Sequence, residues 1–420
     1  MAERFLIEGG QKLEGEIEIM GSKNASGQLL AATILTDEEC LIDNLPKVND
    51  VFVMLDILKN LGKEVDWVNE RKVKIKGGNI DPAKLDIKEI SKARMSVLLI
   101  GALLPRVSEF RISRPGGDRI GLRPITTHLK AIEELGVEIG EEGDFYYFKA
   151  KKLEGKEIVL SEFSVTATAN LIMTASLTNG ITVIKGAACE PEIVNLAEML
   201  NKMGARIEGV GTHTIKIEGV KKLNGGNFSI IPDRIETGTF LVIGALNKGK
   251  VILKNIRPDH LDLFLAKLKE IGVNFKIEKD YLLVEPNPNL KAVRIQALPY
   301  PGFATDFLPL VVPLLTQAEG RSLIHDPLYE NRLNYTSELR KMGADIEIVD
   351  PHRAFIFGKT MLQGVSIESW DIRAGASLLI AGLIAKGKTT ISNIYQIDRG
   401  YEKIDERLQK LGAKITRIKN

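Results

Sequence analysis

Cysteine is nearly missing from this chain: Cys40 and Cys189 are the only two among 420 residues. They fall in unrelated stretches and make no ligand spacing, which excludes a disulfide framework and a thiolate zinc site and points to two isolated thiols in a reducing compartment. The five histidines are scattered and show no metal pattern either. An excess of one charge is also lacking. Lys and Arg number 57 against 55 Asp and Glu, a net +2, so no polyanion-binding surface and no nucleic-acid partner are implied. No charged-then-apolar leader opens the chain, and no apolar run approaches the ~20 residues that a membrane helix needs. The longest runs, around Val97 to Leu104 and Phe307 to Leu315, are short and interrupted. These absences predict a cytoplasmic protein that holds no metal and meets no membrane.

What the chain does have is a sentence written six times: apolar-x-x-apolar-Gly-x-x-apolar. It reads Leu58, Leu61, Gly62, Val65; then Ile132, Leu135, Gly136, Ile139; then Leu200, Met203, Gly204, Ile207. It continues as Leu268, Ile271, Gly272, Phe275; Leu339, Met342, Gly343, Ile346; and Leu408, Leu411, Gly412, Ile415. The glycines recur at intervals of about 70 residues, the mark of one unit copied along the chain. Each copy reads as a helix ending at a glycine in the left-handed conformation and passing directly into a strand.

A second element precedes these helices, an apolar run that turns into a strand. Examples are Leu171 to Leu177 before Gly180, Phe240 to Leu246 before Gly249, and Leu378 to Ile384 before Gly387. Such runs are too uniformly apolar for surface helices and predict helices buried on nearly all sides. The strands alternate, as in Thr214 to Ile217 and Val73 to Lys76, so their sheets have one wet face. The fold class expected is α/β: two inside-out, barrel-like domains, each of three repeated units with buried helices and outer sheets. A chain of this length exceeds one compact core. The repeat phase places the first domain at 22–232, carrying a mobile loop at 111–122. The second domain is 1–21 plus 233–420, because the N-terminal strand segments (Phe5 to Ile7, Leu13 to Ile19) precede any buried helix and are expected to complete the last unit. A cleft between two such lobes is the expected place for a small-molecule site.

Gly382 to Thr389 spells a phosphate-binding P-loop letter by letter, but a working one follows a strand and opens a helix. Here the order is helix, turn, strand, and nucleotide binding at this stretch is set aside.

The residues that break the repeat carry the chemical signal. Gly21-Ser22-Lys23-Asn24-Ala25 puts a lysine at the entry to a buried helix (Gln28 to Leu35), where cation and helix amides together suit an anion. The segment Pro115 to Pro124 holds three glycines, Asp118 and arginines, either a solvated turn or a working loop. Arg94, Arg373 and Arg399 stand at other unit entries, as structural ion pairs or as forks for phosphate and carboxylate. Asp306 precedes an apolar run and is open to two roles, helix N-cap or general base.

In this order the residues resemble the enolpyruvyl transferases, and within them the branch acting on UDP-N-acetylglucosamine. The similarity runs end to end. It rests on Gly21 to Ala25, the Pro115 to Pro124 loop, Ser164-Val165-Thr166-Ala167-Thr168, Glu190 to Val194 and Pro232 to Thr239. It rests further on Thr305-Asp306, Glu330-Asn331-Arg332, Asp371 to Gly375 and Ile397 to Tyr401. The resemblance implies transfer of the enolpyruvyl group of phosphoenolpyruvate to the 3-hydroxyl of UDP-N-acetylglucosamine, with release of phosphate and without cofactor. It implies that Lys23, Arg123 and Arg399 hold phosphoenolpyruvate, with Arg373 nearby. Asn24, Arg94, Arg123, Pro124, Ile125, Thr126, Thr127, Phe163, Ser164, Val165, Asp306 and Leu328 line the nucleotide-sugar site, and Asp306 is the candidate base. Three positions depart from the family pattern: Asp118 where a loop cysteine is usual, Thr126-Thr127 where Asp-Leu is frequent, and Thr166 in place of a glycine. The last two bear on nucleotide contacts. The competing expectations are a transferase acting on shikimate 3-phosphate and a non-catalytic paralogue that binds the UDP-sugar.

Overall fold

The computed structural model describes residues 3–118, 120–279 and 281–419; Arg119 of the expected loop lies outside them. The chain divides into two compact units. One comprises Gly21–Gly117 and Pro124–Ile231, the other Met1–Met20, Asp118–Arg123 and Pro232–Asn420. The six residues Asp118–Arg123 thus group with the unit that holds the C-terminal half, while residues 111–117 of the same expected loop stay in the first.

In the first unit the buried helices are Lys23–Ala32, Leu98–Leu103 and Val165–Ser176. Apart from a few residues in their first turn, their residues are buried, polar ones such as Ser26, Gln28, Asn170 and Thr174 included, so none of them presents an exposed polar face. The second and third cross closely. Gly101 donates its N–H to Asn170 Oδ1 at 2.8 Å, and Thr174 Oγ1 donates to Gly101 O at 3.0 Å. Only a residue without a side chain fits at this crossing, since a Cβ on Gly101 would lie 2.4 Å from the Asn170 carbonyl oxygen. Three separate sheets, two of four strands and one of three, carry the outer face of this unit.

The second unit repeats the plan with buried helices Arg234–Leu246, Leu308–Leu315 and Ile372–Ile384 and three four-stranded sheets. Each unit has its own apolar core. The expected α/β architecture of buried helices and outer sheets is what the structure shows. Among the described residues the sheets stay separate and do not join into closed barrels.

The six repeat glycines behave alike: φ is +107° at Gly62, +96° at Gly136, +104° at Gly204, +98° at Gly272, +94° at Gly343 and +100° at Gly412. Each ends a helix in the left-handed region that a side chain disfavours. The P-loop look-alike is helix Ile372–Ile384, a turn, then strand Lys388–Ser392, the reverse of a phosphate cradle.

The N-terminal expectation needs a correction. Strand Glu3–Glu8 does enter the last sheet, antiparallel to both Lys388–Ser392 and Lys414–Lys419. Strand Gly15–Glu18 instead runs parallel to Val251–Lys254 in the fourth sheet of the series. The strand that precedes helix Arg234–Leu246 in sequence, Gly226–Ser229, pairs back with Cys40–Asp43. Two four-residue strands have therefore exchanged places at the points where the chain passes from one unit to the other.

Candidate active site

In the first unit the cations and polar groups expected from sequence sit at the starts of the buried helices. Ser22 caps helix Lys23–Ala32, its Oγ accepting from Ala25 N at 3.2 Å. Lys23 is the first residue of that helix, which starts ahead of the Gln28 expected from sequence. Its Nζ lies 3.0 Å from Asp50 Oδ2 in the first turn of helix Asn49–Asn60. Asp50 is buried and was not foreseen. Asn24 is half-buried beside it. Arg94 opens the 3-10 turn that leads into helix Leu98–Leu103, and Ser164 caps the third buried helix ahead of Val165.

Around this third start two of the positions that depart from the family pattern, Thr127 and Thr166, bond to neighbouring side chains. Thr127 is buried and its Oγ1 lies 3.0 Å from both Ser161 Oγ and Glu162 Oε1. His128 Nε2 lies 2.7 Å from Thr166 Oγ1. Burial, and then the charge of Arg94, press the His128 pKa down to about 3, so the ring is neutral. Ile125 is buried and Thr126 exposed at the head of helix Thr126–Glu133, with Pro124 exposed before it. Phe163 is 53% exposed and packs against the His213 ring at 4.8 Å.

The second unit assembles the remaining residues. Asp306 is not a helix cap: the 3-10 turn Thr305–Phe307 and helix Leu308–Leu315 start without a side-chain cap bond. Its carboxylate is instead forked by two buried arginines. Arg332 Nη2 meets Oδ1 at 2.7 Å and Arg373 Nε meets Oδ2 at 3.1 Å. The side chain keeps 28% of its surface open. Burial works against the charge of Arg373, but Tyr401, Asp306 and Asp233 outweigh it and raise its pKa. Arg373 Nη1 also donates to Tyr401 OH at 3.1 Å, and Tyr401 OH meets Thr239 Oγ1 at 2.8 Å. For Arg332, burial is likewise overcome by Asp306, Asp371, Asp326 and Asp118. Asp371 is the N-cap of helix Ile372–Ile384, accepting from Arg373 N and Ala374 N. Burial is the main cause of its raised pKa, Arg332 opposes the shift, and Asp118 adds to it.

Asp118 lies in this same cluster. Its Oδ1 is ion-paired with Arg399 Nη1, which also donates to Gln396 Oε1 at 2.8 Å. The segment that carries Asp118 is tied down further along. Leu122 N donates to Glu330 Oε1 at 2.7 Å, Asn331 N donates to Ile120 O at 3.0 Å, and Arg123 lies over the Tyr329 ring at 5.7 Å. Arg123 holds this position with a left-handed φ of +47°. Leu328 is half-exposed, with its N–H on Asp326 Oδ1 at 3.0 Å.

The structure thus brings Asp118 to Arg399 and Asp306 to Arg373. It gives Lys23 a partner outside the expected set. Sequence reasoning named Arg332, Asp371 and Glu330 only as parts of motifs, without roles. The signal available was an arginine two residues after an acid in an otherwise polar stretch. Among the described residues no cluster of His, Cys, Asp and Glu could hold a metal ion, and no helix is long and apolar enough to cross a membrane.

A family model described as EPSP synthase (3-phosphoshikimate 1-carboxyvinyltransferase) matches residues 7–408. A protein of Caldanaerobacter subterraneus subsp. tengcongensis named UDP-N-acetylglucosamine 1-carboxyvinyltransferase 1 is 44% identical over 417 residues, covering 99% of this chain and 100% of the relative. A protein of Koribacter versatilis named UDP-N-acetylglucosamine 1-carboxyvinyltransferase is 42% identical, covering 99% and 96%. Among solved structures, the enolpyruvyl transferase NikO of Streptomyces tendae shares the fold with a TM-score of 0.91 at 24% identity over 99% of both chains. EPSP synthase of Acinetobacter baumannii shares it with a TM-score of 0.76 at 18% identity over the full length of both. With a match that leaves out only the first six residues and the last twelve, the chain belongs to the EPSP synthase family and is an enolpyruvyl transferase.

Proposed function

We propose that the protein transfers the enolpyruvyl group of phosphoenolpyruvate to the 3-hydroxyl of UDP-N-acetylglucosamine, an early cytoplasmic step of peptidoglycan precursor synthesis. The observation that carries this reading is the Asp306 carboxylate. It is forked by Arg332 and Arg373 yet keeps an open face, in the unit where Arg399 meets the loop acid Asp118. The acceptor is the one in the relatives' names, and phosphoenolpyruvate is the donor that the family resemblance implies.

In the addition step, Asp306 takes the proton of the sugar 3-hydroxyl as its oxygen bonds to C2 of phosphoenolpyruvate. A proton delivered to C3 completes a tetrahedral phospholactoyl adduct. Elimination then breaks the C2–O bond to phosphate, and loss of a proton from C3 restores the double bond. Lys23, Arg123 and Arg399 neutralise the phosphate and carboxylate, with Arg373 beside them, and fixed cations of this kind act most strongly where water is excluded. Asp118 serves as proton donor to C3. Asn24, Arg94, Pro124, Ile125, Thr126, Thr127, Phe163, Ser164, Val165 and Leu328 bind the nucleotide sugar.

The test is phosphate release from phosphoenolpyruvate. It is expected to require UDP-N-acetylglucosamine and to persist in a chelator. Release with shikimate 3-phosphate in its place, or with neither acceptor, would reject the proposal.

A further inference from the structure

Arg417 stands where strand alternation calls for an apolar side chain. In the final strand Lys414–Lys419, Ile415 is buried and Arg417 follows on the same face. It lies directly opposite the buried Phe5 of the neighbouring strand, with its guanidinium 4.9 Å from the Phe5 ring centre. A cation on an inward face is costly unless it is paired, and Arg417 holds three carboxylates. Its Nη1 and Nη2 fork both oxygens of Asp398 at 2.8 Å each. Its Nε and Nη2 reach Asp405 at 3.1 and 3.2 Å, and Nη1 reaches Glu3 at 2.8 Å. These acids outweigh the cost of its burial and hold its pKa above the usual arginine value, with the Asp398 hydrogen bond the largest cause.

Asp398 is the residue next to Arg399, at the end of the short helix Tyr395–Asp398. The Arg399 guanidinium bonds Asp118 and Gln396. An adjacent carboxylate with free oxygens would compete for that guanidinium. The fork from Arg417 uses both oxygens and fixes the turn from which Arg399 projects.

We infer that Arg417 is a positioning residue for Arg399. It withholds the Asp398 carboxylate and so leaves the Arg399 guanidinium aimed at Asp118 and at the substrate anion that replaces it. The substrate part of this statement rests on the function proposed above.

Arg417→Met removes the fork and keeps the side chain's bulk. Because a misaimed charge weakens the contacts of one substrate, KM for phosphoenolpyruvate should rise about tenfold while KM for UDP-N-acetylglucosamine changes less than about twofold. Adding Asp398→Asn removes the competing charge, and the double variant should regain a phosphoenolpyruvate KM near that of the unmodified protein. Crystal structures should show Arg399 turned to Asp398 in the single variant and back toward Asp118 in the double.

Unchanged KM values with a lower Tm, an equal rise in both KM values, or no recovery on adding Asp398→Asn would each overturn the inference. If the Met variant does not fold, Arg417→Lys, which cannot fork a carboxylate, is read the same way. Loss of folding in both would mark Arg417 as structural only and also overturn it. If the unmodified protein releases no phosphate, the function fails, and the direction of Arg399 in the variant crystals still decides the role of Arg417.

Discussion

His128 allows a stability prediction with a defined sign and size. The ring is buried, hydrogen-bonded to Thr166, and held neutral with a pKa of about 3. In the unfolded chain a histidine titrates near pH 6.5. Between those values the unfolded chain binds a proton that the folded chain refuses, so stability rises with pH through the window and falls on acidification. The contribution is fully present above about pH 6.5 and is lost at up to about 1.4 kcal/mol per pH unit below it. From about pH 7 to about pH 4.5 the loss integrates to about 2.5 kcal/mol. His128→Gln keeps an amide within reach of Thr166 and has nothing to titrate. Its unfolding free energy in urea should therefore fall less on acidification, by about that amount. Carboxylates titrate in both proteins and cancel in the difference. Parallel stability curves for the two proteins across this pH range would refute the reasoning.

Asp118→Asn retains size and polarity but cannot donate the proton, so kcat should drop by about 100-fold with KM values within a few-fold; steady-state kinetics decide, and near-normal turnover removes Asp118 from the chemistry. Fosfomycin alkylates a thiolate, and a carboxylate is a poorer nucleophile. The unmodified protein should keep its activity after incubation with the drug, whereas Asp118→Cys should be inactivated and, before treatment, active. Gly101→Ala puts a methyl group 2.4 Å from the Asn170 carbonyl oxygen and should cost about 3 kcal/mol, read as a lowered Tm; an unchanged Tm would show that the helix crossing can yield.

Where the sequence was readable, local physics was the reason. The repeat glycines could be placed because a helix that ends into a strand needs a left-handed residue, and all six adopt that conformation. The buried helices were visible as runs with no polar face. The exchange of Gly15–Glu18 and Gly226–Ser229 was not visible, because a four-residue alternating strand fits the edge of any of these sheets equally well. The site divides in the same way. Asp306 stood out by its position before an apolar run, but its environment comes from Arg332 and Arg373, 26 and 67 residues away. The pairing of Asp118 with Arg399 spans 281 residues, and no local pattern encodes it. Asp50 escaped notice because a single acid in the first turn of a helix is ordinary.

The place of strand Glu3–Glu8 has a consequence for how the molecule is made. In the other four-stranded sheets the corresponding strand pairs antiparallel with a neighbour close behind or ahead in sequence, as Val73–Lys76 does with Glu64–Trp67. In the last sheet that role falls to the first strand of the chain, whose Glu3 meets Arg417 from 414 residues away. During synthesis this strand emerges well before its partners Lys388–Ser392 and Lys414–Lys419. The unit Gly21–Gly117 with Pro124–Ile231 contains all of its own strands once residue 231 has left the ribosome, and can fold while the rest is still being made. The other unit closes only when strand Lys414–Lys419 arrives to pair with Glu3–Glu8, a contact across about 400 residues of the kind that slows folding. A ribosome-stalled chain of about 250 residues should therefore protect the first unit from protease and leave Glu3–Glu8 accessible.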